Sequence, residues 1–162
     1  MEEVETTSPG KMTKRATGAK AAKAELLCIP RSLRDEVALG YHMSLACLRS
    51  PAGAVSQLAK IGEALMLSNF LLDAGFGRGS LQILAEAQNA ILAVQFAGQR
   101  NGRWSATDPA LWKPMAKLLV LLDEQLARAP SSQLLRAIRR YEAATQTQLK
   151  TMSDERLLDI AA

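Results

Sequence analysis

The chain has 162 residues, of which 48% are hydrophobic and 22% charged, with a formal net charge of +4. That length accommodates one domain of ordinary size and excludes two full catalytic domains, while the apolar share excludes a wholly disordered chain. Only two Trp, two Tyr and three Phe are present, so the core must be aliphatic, and the Ala/Leu-rich composition favours helices over sheets.

Residues 1–29 read as a segment of their own, a disordered basic tail. Glu2, Glu3 and Glu5 come first, then Lys11, Lys14, Arg15, Lys20 and Lys23 with no acid between Gly10 and Ala24, and no apolar period appears. Five basic and four acidic side chains leave this tail a net charge of +1. The polar start offers no basic-then-apolar leader, which points to a cytoplasmic protein. The domain is expected over 30–162.

Ser32 followed by Asp35 and Glu36 predicts a helix start, because a side-chain oxygen and two negative charges there meet free amide groups. The helix runs from about Leu33 to Arg49, and Ser50-Pro51 interrupts it. Ala54 to Ala74 predicts a second helix with Val55, Leu58, Ile61, Leu65 and Leu72 on one side, and Leu67, Phe70 and Leu71 widening the stripe. A helix so apolar is expected at the centre, yet Ala64 to Phe76 contains Ser68, Asn69 and Asp73 and is short of the roughly 20 apolar residues a membrane span needs. No membrane partner is expected.

Gly75 predicts a left-handed stop, and Ser80 a cap for a third helix reaching about Ala97 through Leu84, Ala87, Ile91 and Val94. Gly98 to Asp108 reads as a solvent-facing loop. Asp108-Pro109 suits the first turn of a fourth helix, with Pro114 either separating that turn or kinking the rod. Met115, Leu118, Leu119, Leu122 and Leu126 mark its buried side. Pro130-Ser131 starts a fifth helix with Leu134, Leu135, Ile138 and Tyr141 inward, and Ser153-Asp154-Glu155 signals a short last one. The predicted fold is all-α, an antiparallel bundle of five main helices plus a short C-terminal helix.

Candidate sites are few. Gly75 to Ser80 precedes a helix start, where free amides and Arg78 suit an anion, but the same residues serve ordinary capping. Arg100, Arg103 and Trp104 put two guanidinium groups beside an indole, a combination that docks on an acidic partner or stacks on a base; alternatively Trp104 folds back as a lid over the bundle end, helped by Trp112. Arg136, Arg139 and Arg140 fall within about one turn, and with Lys11, Lys14 and Arg15 they could provide a salt-sensitive nucleic-acid surface. Val55 to Glu63 could imitate a helix-turn-helix, but its apolar spacing passes through Gly62 unshifted, which favours one helix.

Cys28 and Cys47 are expected as reduced, buried thiols. With His42 alone beside them, no zinc or redox motif forms, and the five-residue step from His42 to Cys47 does not put them on one helical face. Carboxylates such as Glu63, Asp73 and Asp123 are scattered, and no Glu-x-x-His pairing builds a di-iron site. No catalytic residue, metal or cofactor is expected.

Pro30-Arg31 at the start of the fold, the helix bearing His42, the Gly-rich break after Asp73, and Gly102-Arg103-Trp104 ahead of Thr107-Asp108 resemble small helical proteins of unassigned function encoded on bacterial plasmids and prophages. The resemblance covers most of residues 30–142 and implies an accessory or regulatory role. The expected function is thus non-enzymatic binding of a protein partner through Arg100, Arg103 and Trp104, with homodimer formation motivated by Leu67, Leu71, Val120 and Leu121, whose apolar faces exceed one seam. The alternative is a nucleic-acid-binding regulator.

Overall fold

The computed structural model describes residues 27–77 and 79–160, with the side chains of the last helix described as far as Gln148. Five helices follow one another: α1 (Arg31–Leu48), α2 (Val55–Asp73), α3 (Leu81–Asn101), α4 (Pro109–Arg128) and α5 (Ser131–Ile160). Short connections join successive helices into an antiparallel, all-α bundle in which α2, α3 and α4 each pack on the helix before them and α5 packs on α2. The described residues contain no strand, only an isolated antiparallel bridge between Cys28 and Pro130. Lys11, Lys14, Arg15 and the rest of 1–26 lie outside the described residues.

α2 is the axis of the fold, packing on α1, α3, α4 and α5, while α1 and α3 each also pack on α4. Its position explains its composition. A helix touched from four directions has little use for polar residues, and Leu58, Ile61, Ala64, Leu67 and Leu71 are all buried. This corrects two readings of the sequence. Val55, placed inward by periodicity, is 53% exposed at the first turn, and Leu67, Leu71 and Leu121, proposed as surplus apolar surface, belong to the core. Of that set only Val120 remains outside, so the argument for a dimer from these four residues fails.

α3 and α4 bury the residues their periodicity predicts: Leu84, Ala87, Ile91 and Val94 on one, Met115, Leu118, Leu119, Leu122 and Leu126 on the other. On α5, Leu134 and Ala137 are buried and Ile138 and Tyr141 pack at the core edge, but Leu135 faces solvent.

The helix ends differ more from expectation. α1 starts after Pro30 with no side-chain cap, and Asp35 pairs instead with Arg31 one turn earlier at 3.5 Å. Ser80 flanks α3 without a side-chain cap bond. The Ser131 hydroxyl, expected to cap α5, donates to the Leu27 carbonyl at 3.0 Å, while the Ser131 amide donates to the same oxygen at 2.9 Å. That clasp and the burial of Ile29 tie the chain to the bundle from three residues before Pro30. Asp108 does cap α4, accepting from the Ala110 amide at 2.8 Å, with Pro109 in the first turn where no donor is needed. Pro114 neither ends nor divides this helix.

α3 continues past the expected stop at Ala97 to Asn101, and Gly102 ends it in the left-handed conformation with φ +68°. Gly98 is inside the helix because the Trp104 ring lies directly on it: a Cβ there would stand 2.4 Å from Trp104 Cδ2. No separate short C-terminal helix exists, since α5 is continuous to Ile160. Nor is there a helix-turn-helix at Val55 to Glu63, which is uninterrupted α2. Both cysteines are free and exposed rather than buried.

Candidate interaction surface

The turn between α2 and α3 is held from within. The Gly75 amide donates to Leu72 O and the Phe76 amide to Leu71 O, closing α2 with Gly75 at φ +97°. Buried Gln125 of α4 completes the lock. Its Nε2 donates to Ser68 O at 3.0 Å and to Phe76 O at 3.1 Å, and its Oε1 accepts from Ser68 Oγ at 2.6 Å. Every hydrogen-bonding group of this buried side chain therefore has a structural role, and Gly77 packs against the same Gln125. Arg78 lies outside the described residues, so the anion reading of this turn keeps only its backbone.

The sequence-predicted partner-binding residues separate. Arg100 and Arg103 are exposed, whereas Trp104 is half-buried and lies over Gly98 as a lid. Trp112, read as its helper, sits under the Arg49 guanidinium, 4.1 Å from ring centroid to Cζ. The three arginines of α5 also separate. Arg140 bonds Asp73 at 3.2 Å and stacks on Phe70 at 4.2 Å, and with Arg136 it lines a pocket of about 310 Å³ between α2 and α5. Arg136 and Arg139 make no ion pair among the described residues, so the basic strip retains two free guanidinium groups of its three.

Polar contacts elsewhere tie helices together. His42 Nε2 lies 2.8 Å from Asp123 Oδ2, joining α1 to α4 at an exposed edge. The buried Tyr41 hydroxyl donates to Glu63 Oε1 at 2.9 Å, and Lys60 Nζ reaches Glu63 Oε2 at 2.8 Å. Burial first, then the hydrogen bond to Glu63 and that carboxylate's charge, push the Tyr41 pKa well above its ordinary value. No group of three or more His, Cys, Asp or Glu comes together among the described residues, and no described helix is long and apolar enough to cross a membrane.

A trough runs along the outer side of α2, with α3 as one wall and the α5 stretch from Tyr141 to Gln148 as the other. This section holds about 560 Å³. A second of about 360 Å³ extends it to Val55 and Trp104. The two share Ala59, Gly62, Ile91 and Gln95. The α2 floor is mainly apolar, with Ala59, Leu65 and Met66, and it is open at Gly62, where an added Cβ would meet nothing within 4 Å.

On the α3 rim, Leu92 and Phe96 stand one turn apart and remain exposed, Phe96 at 61%. Between Leu81 and Gln99 the only charged residue is Glu86, which pairs with Lys117 of α4 at 3.5 Å. The outward face of α3 is consequently uncharged along its length up to Arg100. Sequence reasoning missed Gly62, Leu92 and Phe96. The available signal was the near-absence of Asp, Glu, Lys and Arg from residues 81–101 in a chain where such residues are common.

Comparison with known proteins returns no matching family model, no similar curated protein and no similar solved structure.

Proposed function

We propose that this chain is a non-enzymatic accessory or regulatory protein that acts by binding protein, with the α2/α3 trough and its rim as the working surface. The observation that carries this reading is the uncharged outer face of α3, where Leu92 and Phe96 are exposed beside an open apolar trough. Solvated helix faces are normally charged, whereas the centres of protein interfaces are poor in charge and rich in aromatic and large apolar side chains. Exposed apolar surface next to a concavity has the same association. The nucleic-acid alternative draws less support, because Arg140 is occupied by Asp73 and Phe70 and phosphate binding scales with the number of free cations.

A photoreactive side chain introduced at Gln95 in cells, with Lys113 of α4 as control, tests this directly. Protein adducts at position 95 and few at 113 are expected. Adducts to nucleic acid, or none at position 95, would overturn the proposal.

A further inference from the structure

Gly62 occupies the middle of α2, where glycine costs roughly 1 kcal/mol relative to alanine. Gly98 offsets that cost by letting Trp104 close the bundle end, but no atom within 4 Å of a Cβ at position 62 demands a glycine there. Space left open on the floor of a trough suits an occupant that approaches α2 closely. The rim beside it carries a convex aromatic, Phe96, on the same face as the concavity.

We infer that the occupant is a second copy of this chain, packed with α3 antiparallel to α3 across a two-fold axis so that Phe96 of each copy enters the other's trough above Gly62. This rests on the α2/α3 trough being the working surface and names what fills it. A two-fold interface sets each surface against itself, so every knob needs a hole on the same face and every charge meets its own kind. The α3 face meets both demands. Phe96 and the trough are neighbours, and the polar groups that α3 presents to the trough are Gln88, Gln95 and Gln99, whose amides both donate and accept and so can pair with their own copies.

Charge also argues against an unlike partner here. Interfaces between different proteins are steered by complementary charges around the rim; here the α3 rim is neutral from Gln88 to Gln99, and Glu63, the carboxylate lining the trough, is already taken up by Tyr41 and Lys60 of its own chain. The other exposed helix faces carry unlike-paired or unpaired ions, such as Arg136 and Arg139 on α5, which a second copy would bring into repulsion.

The test is sedimentation velocity of the full chain from low micromolar to several hundred micromolar, for the wild type and three variants. The wild type is expected to dimerise, with an affinity little changed by salt because no charge pair is used. Phe96→Asp should weaken self-association at least about tenfold, as loss of a central aromatic anchor does. Gly62→Leu plugs the trough from its floor, starting from a Cβ that meets nothing within 4 Å, and should also leave a monomer, one that melts no lower than the wild type. Leu135→Asp, an exposed apolar site on α5, should dimerise like the wild type.

A monomer throughout, or a dimer indifferent to both Phe96→Asp and Gly62→Leu, would overturn the inference. The two proposals fail separately. A monomer whose position 95 crosslinks to a different protein removes the second copy but leaves the binding role, whereas a chain without any adduct at position 95 removes both.

Discussion

One substitution made at two glycines should have opposite effects. At Gly98 an added Cβ would lie 2.4 Å from both Cδ2 and Cε3 of Trp104 and 2.7 Å from Cε2, whereas carbon atoms rest at about 3.5–4.0 Å. The indole would therefore have to retreat by about 1 Å, and its loop has little room. The Ala106 amide donates to Leu48 O at 2.6 Å, and Gly53 is pressed so closely on this loop that its own Cβ would sit 3.0 Å from Ser105 Cα. Overpacking of this kind costs about 1–3 kcal/mol, and the better helix propensity of alanine returns about 1 kcal/mol, so Gly98→Ala should lose about 1 kcal/mol net. Gly62→Ala keeps the propensity gain and meets nothing, so it should gain up to about 1 kcal/mol. The pair then differs by about 2 kcal/mol, which corresponds to a separation in Tm of about 6–8 °C for a domain of this size. Urea unfolding followed by circular dichroism measures both variants. In a Trp104→Ala background the same Gly98→Ala change should become stabilising. A Gly98→Ala protein that is stabilised with Trp104 present, or still destabilised without it, would refute the assignment of Gly98 to the Trp104 contact.

The remaining predictions concern the polar contacts. Gln125→Leu strands the Ser68 hydroxyl and the Phe76 carbonyl and should cost about 2 kcal/mol, while Ser68→Ala/Gln125→Leu should lose about 1 kcal/mol less than the two single changes added together; strict additivity in denaturant unfolding would contradict the Gln125 network. Asp108→Ala should cost about 1 kcal/mol as a lost cap and Ser32→Ala almost nothing, because only the first accepts an amide bond; equal losses would place the cap wrongly. The raised pKa of Tyr41 means that the unfolded chain ionises first as pH rises, releasing a proton that the folded chain keeps. The stability gained from this tyrosine is thus whole below its ordinary value of about 10 and declines above it. The wild type should lose stability more steeply than Tyr41→Phe between about pH 10 and 11, and parallel profiles in that window would refute the buried Tyr41–Glu63 bond.

How much of this was legible depended on what each residue had to satisfy. The buried faces of α3 and, Leu121 aside, α4 could be read residue by residue because each has a polar or exposed side that fixes the helical phase. α2 packs on four neighbours, and its apolar residues surround it. Its phase was therefore ambiguous, and Val55 was placed inside while Leu67 and Leu71 were assigned to the surface. Caps were legible where a single short side chain faced a free amide, as at Asp108, and not where the chain supplied a tertiary partner, as when Ser131 turned to Leu27.

Glycine shows why the interaction surface was harder to read than the core. Gly98, Gly62 and Gly102 carry the same sequence signal, a weak point in a helix, and the fold uses them in three ways: one is covered by an indole six residues later, one opens onto a trough, and one ends the helix at φ +68°. Only the last is a local property of the chain. The other two are decided by what approaches from outside the helix, and periodicity contains no information about that. Charge does. α3 packs into the fold through Leu84, Ala87, Ala90, Ile91, Val94 and Gly98, none of them on its outer face, so that face was free to be as charged as the faces of α1 and α5. That it instead shows Leu92, Phe96 and a row of glutamines follows from neither helix propensity nor core packing, since lysine or glutamate would serve both equally well. A feature that folding does not require is the place to look for function, which makes Phe96 and Gly62 a stronger starting point for experiment than the arginines that first draw the eye.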